Sequence, residues 1–153
     1  MQRTFPRRKF IGGLAAAKAL AQNAGSVRGF DHVALPMQNT DAMLAFYRRL
    51  GFEVVENRGA CSVYIGQQMI NFHRPATWQN ESFTLRAPAA KPPCGDLCLV
   101  WDGTPESLRA MLDRAGAKVF EGPVPRQGGR KKQGSSVYVR DPDGNLLEFI
   151  IYS

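Results

Sequence analysis

Two stretches of this chain can be laid over one another, and this repeat limits the possible folds more than any other feature. His32-Val-Ala-Leu-Pro-Met-Gln-Asn-Thr40 aligns with Asp96-Leu-Cys-Leu-Val-Trp-Asp-Gly-Thr104. Leu50-Gly51-Phe52-Glu53-Val54-Val55-Glu56 aligns with Ala115-Gly116-Ala117-Lys118-Val119-Phe120-Glu121, and Ser62-Val63-Tyr64-Ile65 with Ser136-Val137-Tyr138-Val139. Asn71-Phe72 then falls on Glu148-Phe149. Self-similarity of this kind marks a supersecondary unit used twice.

Each copy predicts the same elements. Phe30 to Pro36 and Asp96 to Trp101 read as first strands. A helix follows in each, with Thr40 or Thr104 as its cap. Met43, Phe46, Tyr47 and Leu50 form one apolar stripe, and Leu108, Met111, Leu112 and Ala115 form the other. Pro105 suits a first helical turn, and Gly51 and Gly116 suit left-handed helix stops. Three strands complete each copy. The expected fold class is α+β, two βαβββ modules.

A single helix covers one face of a small sheet and leaves the other open. Two modules, in one chain or in two, can close their open faces around a cavity. Strand alternation then sorts the side chains. Val33, Leu35, Leu97, Leu99, Trp101, Ile70, Phe72, Leu147, Phe149 and Ile151 suit the helix side. His32, Asp96, Cys98, Asn71, His73 and Glu148 turn to the cavity.

Charge locates the remaining segment. The chain of 153 residues has 20 Lys+Arg against 13 Asp+Glu, a formal net charge of +7. Residues 1–30 hold Arg3, Arg7, Arg8, Lys9, Lys18 and Arg28 and no acid, so the rest is nearly balanced and nucleic-acid binding is not expected. Arg7-Arg8-Lys9-Phe10-Ile11, an apolar stretch to Ala17 and Ala19-Leu20-Ala21 suggest twin-arginine export. The same acid-free composition suits mitochondrial import, and a plain basic tail on a cytoplasmic protein is the third option. Expected boundaries are a leader over 1–28, module one over 29–75, a linker over 76–94 and module two over 95–153. No apolar run reaches membrane-spanning length. Three cysteines make neither a disulfide framework nor a zinc knuckle.

Several stretches carry a resemblance to a known family. They are Asp31-His32-Val33-Ala34-Leu35, Phe46-Tyr47 through Leu50-Gly51-Phe52-Glu53-Val54, Gln68 to His73, Asp96 to Leu99, Glu121 to Arg126 and Ser136-Val-Tyr-Val-Arg-Asp-Pro-Asp-Gly-Asn-Leu-Leu-Glu-Phe149. Together they resemble the vicinal oxygen chelate superfamily of glyoxalases, bleomycin and fosfomycin resistance proteins and extradiol dioxygenases. The nearest likeness is to the glyoxalase domain-containing protein 5 group.

The resemblance implies a divalent metal (Zn, Ni, Mn or Fe) that chelates vicinal oxygens of a small substrate. Its ligands would be His32, Asp96 and Glu148, with Glu148 also a general base. Many members have histidine where this chain has Asp96, which makes the donor set harder. Asn71, His73, Tyr138 and Arg126 are the expected substrate-binding residues, and Arg126, Arg130, Lys131 and Lys132 form a candidate anion-attracting flap. Plainer alternatives stand beside these: structural hydrogen bonds for the histidines, a turn bond for Asp96, pairing of Glu148 with Arg140 or Tyr138, and a solvated hairpin for the flap. The expected function is a metal-dependent glyoxalase-like lyase or isomerase, or failing that a dioxygenase or a resistance transferase. The alternative is a non-catalytic protein that sequesters a small molecule. A homodimer is expected, with His32 of one copy meeting Asp96 and Glu148 of the other.

Overall fold

The protein is described by a computed structural model over residues 25–153. The leader reading falls almost wholly outside these residues. The elements are β1 (His32–Pro36), α1 (Thr40–Arg49), β2 (Glu53–Glu56), β3 (Ala60–Ile65), β4 (Gln68–His73), α2 (Pro75–Trp78), β5 (Asp96–Val100), α3 (Pro105–Ala115), β6 (Val119–Gln127), β7 (Gln133–Arg140) and β8 (Leu146–Tyr152). They form two four-stranded sheets with orders β1-β4-β3-β2 and β5-β8-β7-β6. In each sheet the first strand pairs in parallel with the last, and the other pairs are antiparallel. This is the βαβββ pattern twice.

The helices form where the apolar stripes demand. Met43, Phe46 and Tyr47 of α1 and Leu108, Met111, Leu112 and Ala115 of α3 are buried in one continuous core with Phe72, Leu147 and Phe149. Gly51 (φ +92°) and Gly116 (φ +68°) supply the left-handed stops. The Thr104 hydroxyl accepts from Ser107 N, capping α3. Thr40 does not cap α1. It is the first helical residue, and Asn39 occupies the cap position without a side-chain cap bond. Its amide group is taken by the other module: Asn39 Nδ2 and Asn39 N both donate to Asp143 Oδ1 at 2.8 Å. Two further differences concern connections. A short helix, α2, lies at the start of the expected linker, and β6 runs through Arg126, so only Gly128 to Lys132 connect it to β7.

The modules are locked together by the turn from Asp141 to Asn145. Besides holding Asn39, Asp143 accepts from Gln38 N at 2.6 Å. Tyr47 of α1 donates to Asp141 Oδ2 at 3.1 Å. Asn145 Oδ1 accepts from Cys94 N and Gly95 N, which fixes the entry to β5. Burial lifts the Asp141 carboxyl above its ordinary range, although the bonds from Asn145 and Tyr47 pull the other way. Burial, with Asp141 beside it, pushes the Tyr47 phenol well above its usual value.

Candidate functional site

Leu97, Leu99, Val137, Val139, Leu147 and Phe149 all join the core beneath α3, so their neighbours on each strand occupy the opposite, helix-free face. In module two that face presents Asp96 and Cys98 from β5, Glu148 from β8, Ser136 and Tyr138 from β7 and Arg126 from β6. Cys98 and Tyr138 stand directly across from Glu148 on either side. The expected Arg140 pairing of Glu148 does not form, because Arg140 donates to Gly144 O and stacks on Phe120. Ser136, wholly buried, donates to Glu148 Oε1 instead.

Cys98 has its thiol pushed up to about 12, first by burial and then by the charge and hydrogen bond of Glu148 and the charge of Asp96. It is therefore a protonated donor to the carboxylate at neutral pH. Arg126 has every nitrogen engaged within its own module. Nε donates to Tyr138 Oη at 3.0 Å, Nη1 donates to Pro125 O, and Nη2 lies 3.5 Å from Glu121 Oε1. Since Arg126 donates to Tyr138, the phenol proton is free to point elsewhere as a donor. Arg126 thus orients Tyr138.

Module one presents His32, Asn71 and His73 on its helix-free face. His32 is half-exposed, and its Nδ1 lies 2.7 Å from Asp31 Oδ1. A carboxylate on one ring nitrogen fixes the ring and leaves Nε2 for a cation, the usual support of a metal-bound imidazole. His73 is buried, edge-on to Phe83 at 5.1 Å. Burial, and then the nearby His32, lower its basicity. Asn71 Oδ1 accepts from Ser62 Oγ at 3.3 Å.

His32 and Asp96 line one groove of about 300 Å³ between the modules, together with Val33, Ile70, Leu97 and Cys98. Glu148 does not line it. Among the described residues of one chain, no group of three His, Cys, Asp or Glu side chains lies close enough to hold a metal ion. The donor chemistry nonetheless fits a divalent cation: a ring-anchored imidazole, an exposed carboxylate and a second carboxylate already held on one oxygen. What one chain lacks is their convergence. β1 and β5, which carry His32 and Asp96, are each the outer strand of their sheet, hydrogen-bonded on one side alone.

Residues 29–149 match the model of the Glyoxalase/Bleomycin resistance protein/Dioxygenase superfamily. The chain belongs to that superfamily. Glyoxalase domain-containing protein RDO1 of Mycosarcoma maydis is 35% identical over 141 residues, covering 92% of this chain and 77% of the relative. Virulence protein STM3117 of Salmonella typhimurium is 34% identical over 126 residues, covering 80% and 83%. An integron cassette protein of V. cholerae superposes with a TM-score of 0.74 at 30% identity, covering 85% of this chain and 99% of that one. The superfamily's fold, two modules with a helix on one face of each sheet, is the one observed here.

One supporting residue, Asp31, escaped sequence reasoning. Asp31 had its signal in being next to His32, but strand alternation alone would turn it to the opposite face. Ser136 lies on Glu148's side of the sheet, as strand alternation places it, and the repeat aligns it with Ser62; its bond to Glu148 is what the sequence did not report.

Proposed function

We propose that this protein is a metal-dependent, glyoxalase-like enzyme acting on a small oxygenated molecule, allied to the glyoxalase domain-containing protein 5 group. The observation that carries the reading is the preparation of the donors. The His32 ring is anchored through Asp31, and Glu148 faces away from the core with one oxygen already bonded. An unpaired carboxylate in so apolar a strand as Leu146–Tyr152 would be costly without such partners.

His32, Asp96 and Glu148 would hold the cation, with His32 and Glu148 drawn from different copies of a homodimer. The free outer strands β1 and β5 support that pairing. One imidazole and two carboxylates suit Zn²⁺, Ni²⁺, Mn²⁺ or Fe²⁺ with little selectivity. Bound there, the cation would chelate vicinal substrate oxygens and polarise a carbonyl. The protein's own groups do the rest. On leaving the cation, Glu148 would take a proton on Oε2 from the carbon beside that carbonyl. Tyr138, turned by Arg126, donates to a substrate oxygen, and Asn71 and His73 line the opposite wall.

Metal analysis of the purified protein tests the reading. Wild type is expected to bind about one divalent ion per chain, and His32→Ala and Glu148→Gln to lose it. Equal metal content in all three would remove the site. The sequestering alternative draws on the Asp96 position and the basic hairpin tip of Arg130, Lys131 and Lys132. Tight binding of an unchanged small molecule in the presence of a chelator would favour it.

A further inference from the structure

The Ser136 hydroxyl is fully buried, and its partner is the Glu148 carboxylate. It sits where the chain is tightly packed: a Cβ on Gly122 would come within 2.5 Å of Ser136 O. The same contact recurs in module one, where Ser62, the repeat counterpart of Ser136, donates to Asn71, the counterpart of Glu148. The hydroxyl is thus present in both modules, and only its acceptor differs: a neutral amide in one and a carboxylate in the other.

We propose that Ser136 is a positioning residue that commits Glu148 to present a single oxygen. With Oε1 tied to Ser136, the carboxylate cannot rotate freely, and Oε2 is left to meet a cation or take a proton against only the weak Cys98 thiol as a competing donor. A glutamate otherwise loses considerable rotamer freedom when it binds, and this bond removes that freedom beforehand. In module one the same device holds the Asn71 amide. The inference rests on the metal-binding reading above and adds the residue that shapes its carboxylate ligand.

The test uses the full-length protein and Mn²⁺ alone, titrated by calorimetry, with the visible spectrum of the Co²⁺-loaded protein at saturation as a second readout. Ser136→Ala is expected to weaken Mn²⁺ binding about tenfold or more, the usual effect of losing a partner of a metal ligand. It should also change the saturated Co²⁺ spectrum, because a released carboxylate can bind through both oxygens. Ser136→Thr, which keeps the hydroxyl, is expected to restore both. Wild-type affinity and spectrum in Ser136→Ala would overturn the proposal, provided Glu148→Gln loses the metal. So would a loss of affinity with an unchanged spectrum that Ser136→Thr fails to restore, since that pattern reports packing damage. Wild-type protein that binds no Mn²⁺, or Glu148→Gln that binds it normally, would remove the metal reading itself and this inference with it.

Discussion

His32 shows how much one neighbour decides. A strand histidine with half its surface in water has no fixed purpose, but the carboxylate of Asp31 at 2.7 Å fixes the ring and reserves one nitrogen. Asp31→Ala is therefore expected to weaken divalent-metal affinity about tenfold, less than His32→Ala, as calorimetric titration would show. Tyr47 makes a prediction about pH. An unfolded tyrosine ionises near about 10, and burial holds the folded phenol well above that. The stabilisation is complete below the unfolded value and is lost as pH rises past about 10 toward the folded one. Thermal midpoints of wild type should fall steeply above that pH. Tyr47→Phe should flatten the fall, at a cost near neutrality of about 1 kcal/mol for the lost bond to Asp141. Cys98, held protonated, should react slowly with a thiol reagent at neutral pH, and Glu148→Gln should speed it by removing the neighbouring charge.

At the level of elements, the sequence revealed most where periodicity carried the message. The stripes of α1 and α3, the glycine stops and the alternation on β4, β5 and β8 were all legible, because burial enforces them locally. What was not legible came from across the fold. Thr40 fits a cap by pattern, yet Asn39 holds that position, its amide drawn to a carboxylate more than a hundred residues later in the chain. No local rule reports a bond of that kind. The Asp-Pro-Asp-Gly-Asn turn was visible as a motif, but its role as the clamp between modules depends on tertiary contact. Asp143→Ala should cost about 1–2 kcal/mol in denaturant unfolding, by freeing the amides of Gln38 and Asn39 at a partly exposed site. Gly122→Ala should be worse: its φ of +113° disfavours any side chain, and the new methyl would meet Ser136 O. Its expected signature is lost metal affinity together with a lowered thermal midpoint.

For the whole molecule, the doubled architecture was readable from the repeat, and with it the sides on which polar and apolar groups fall. Whether the three donors meet within a chain or between chains was not, since a repeat says how each module is built and nothing of how modules pair. One chain answers half of this. It gathers His32 and Asp96 along one groove, leaves Glu148 off it and places β1 and β5 at sheet edges, each hydrogen-bonded on one side alone. A second copy is the simplest completion, and symmetry makes the idea testable. His32→Ala and Glu148→Gln chains, each without metal alone, would be unfolded together, refolded as a mixture and assayed for bound Mn²⁺. If each site takes His32 from one copy and Glu148 from the other, every mixed dimer regains one intact site, and the mixture should recover about a quarter of the wild-type metal. If the mixture stays as empty as its two components while refolded wild type binds fully, the donors are not shared between copies and the account of the site is wrong.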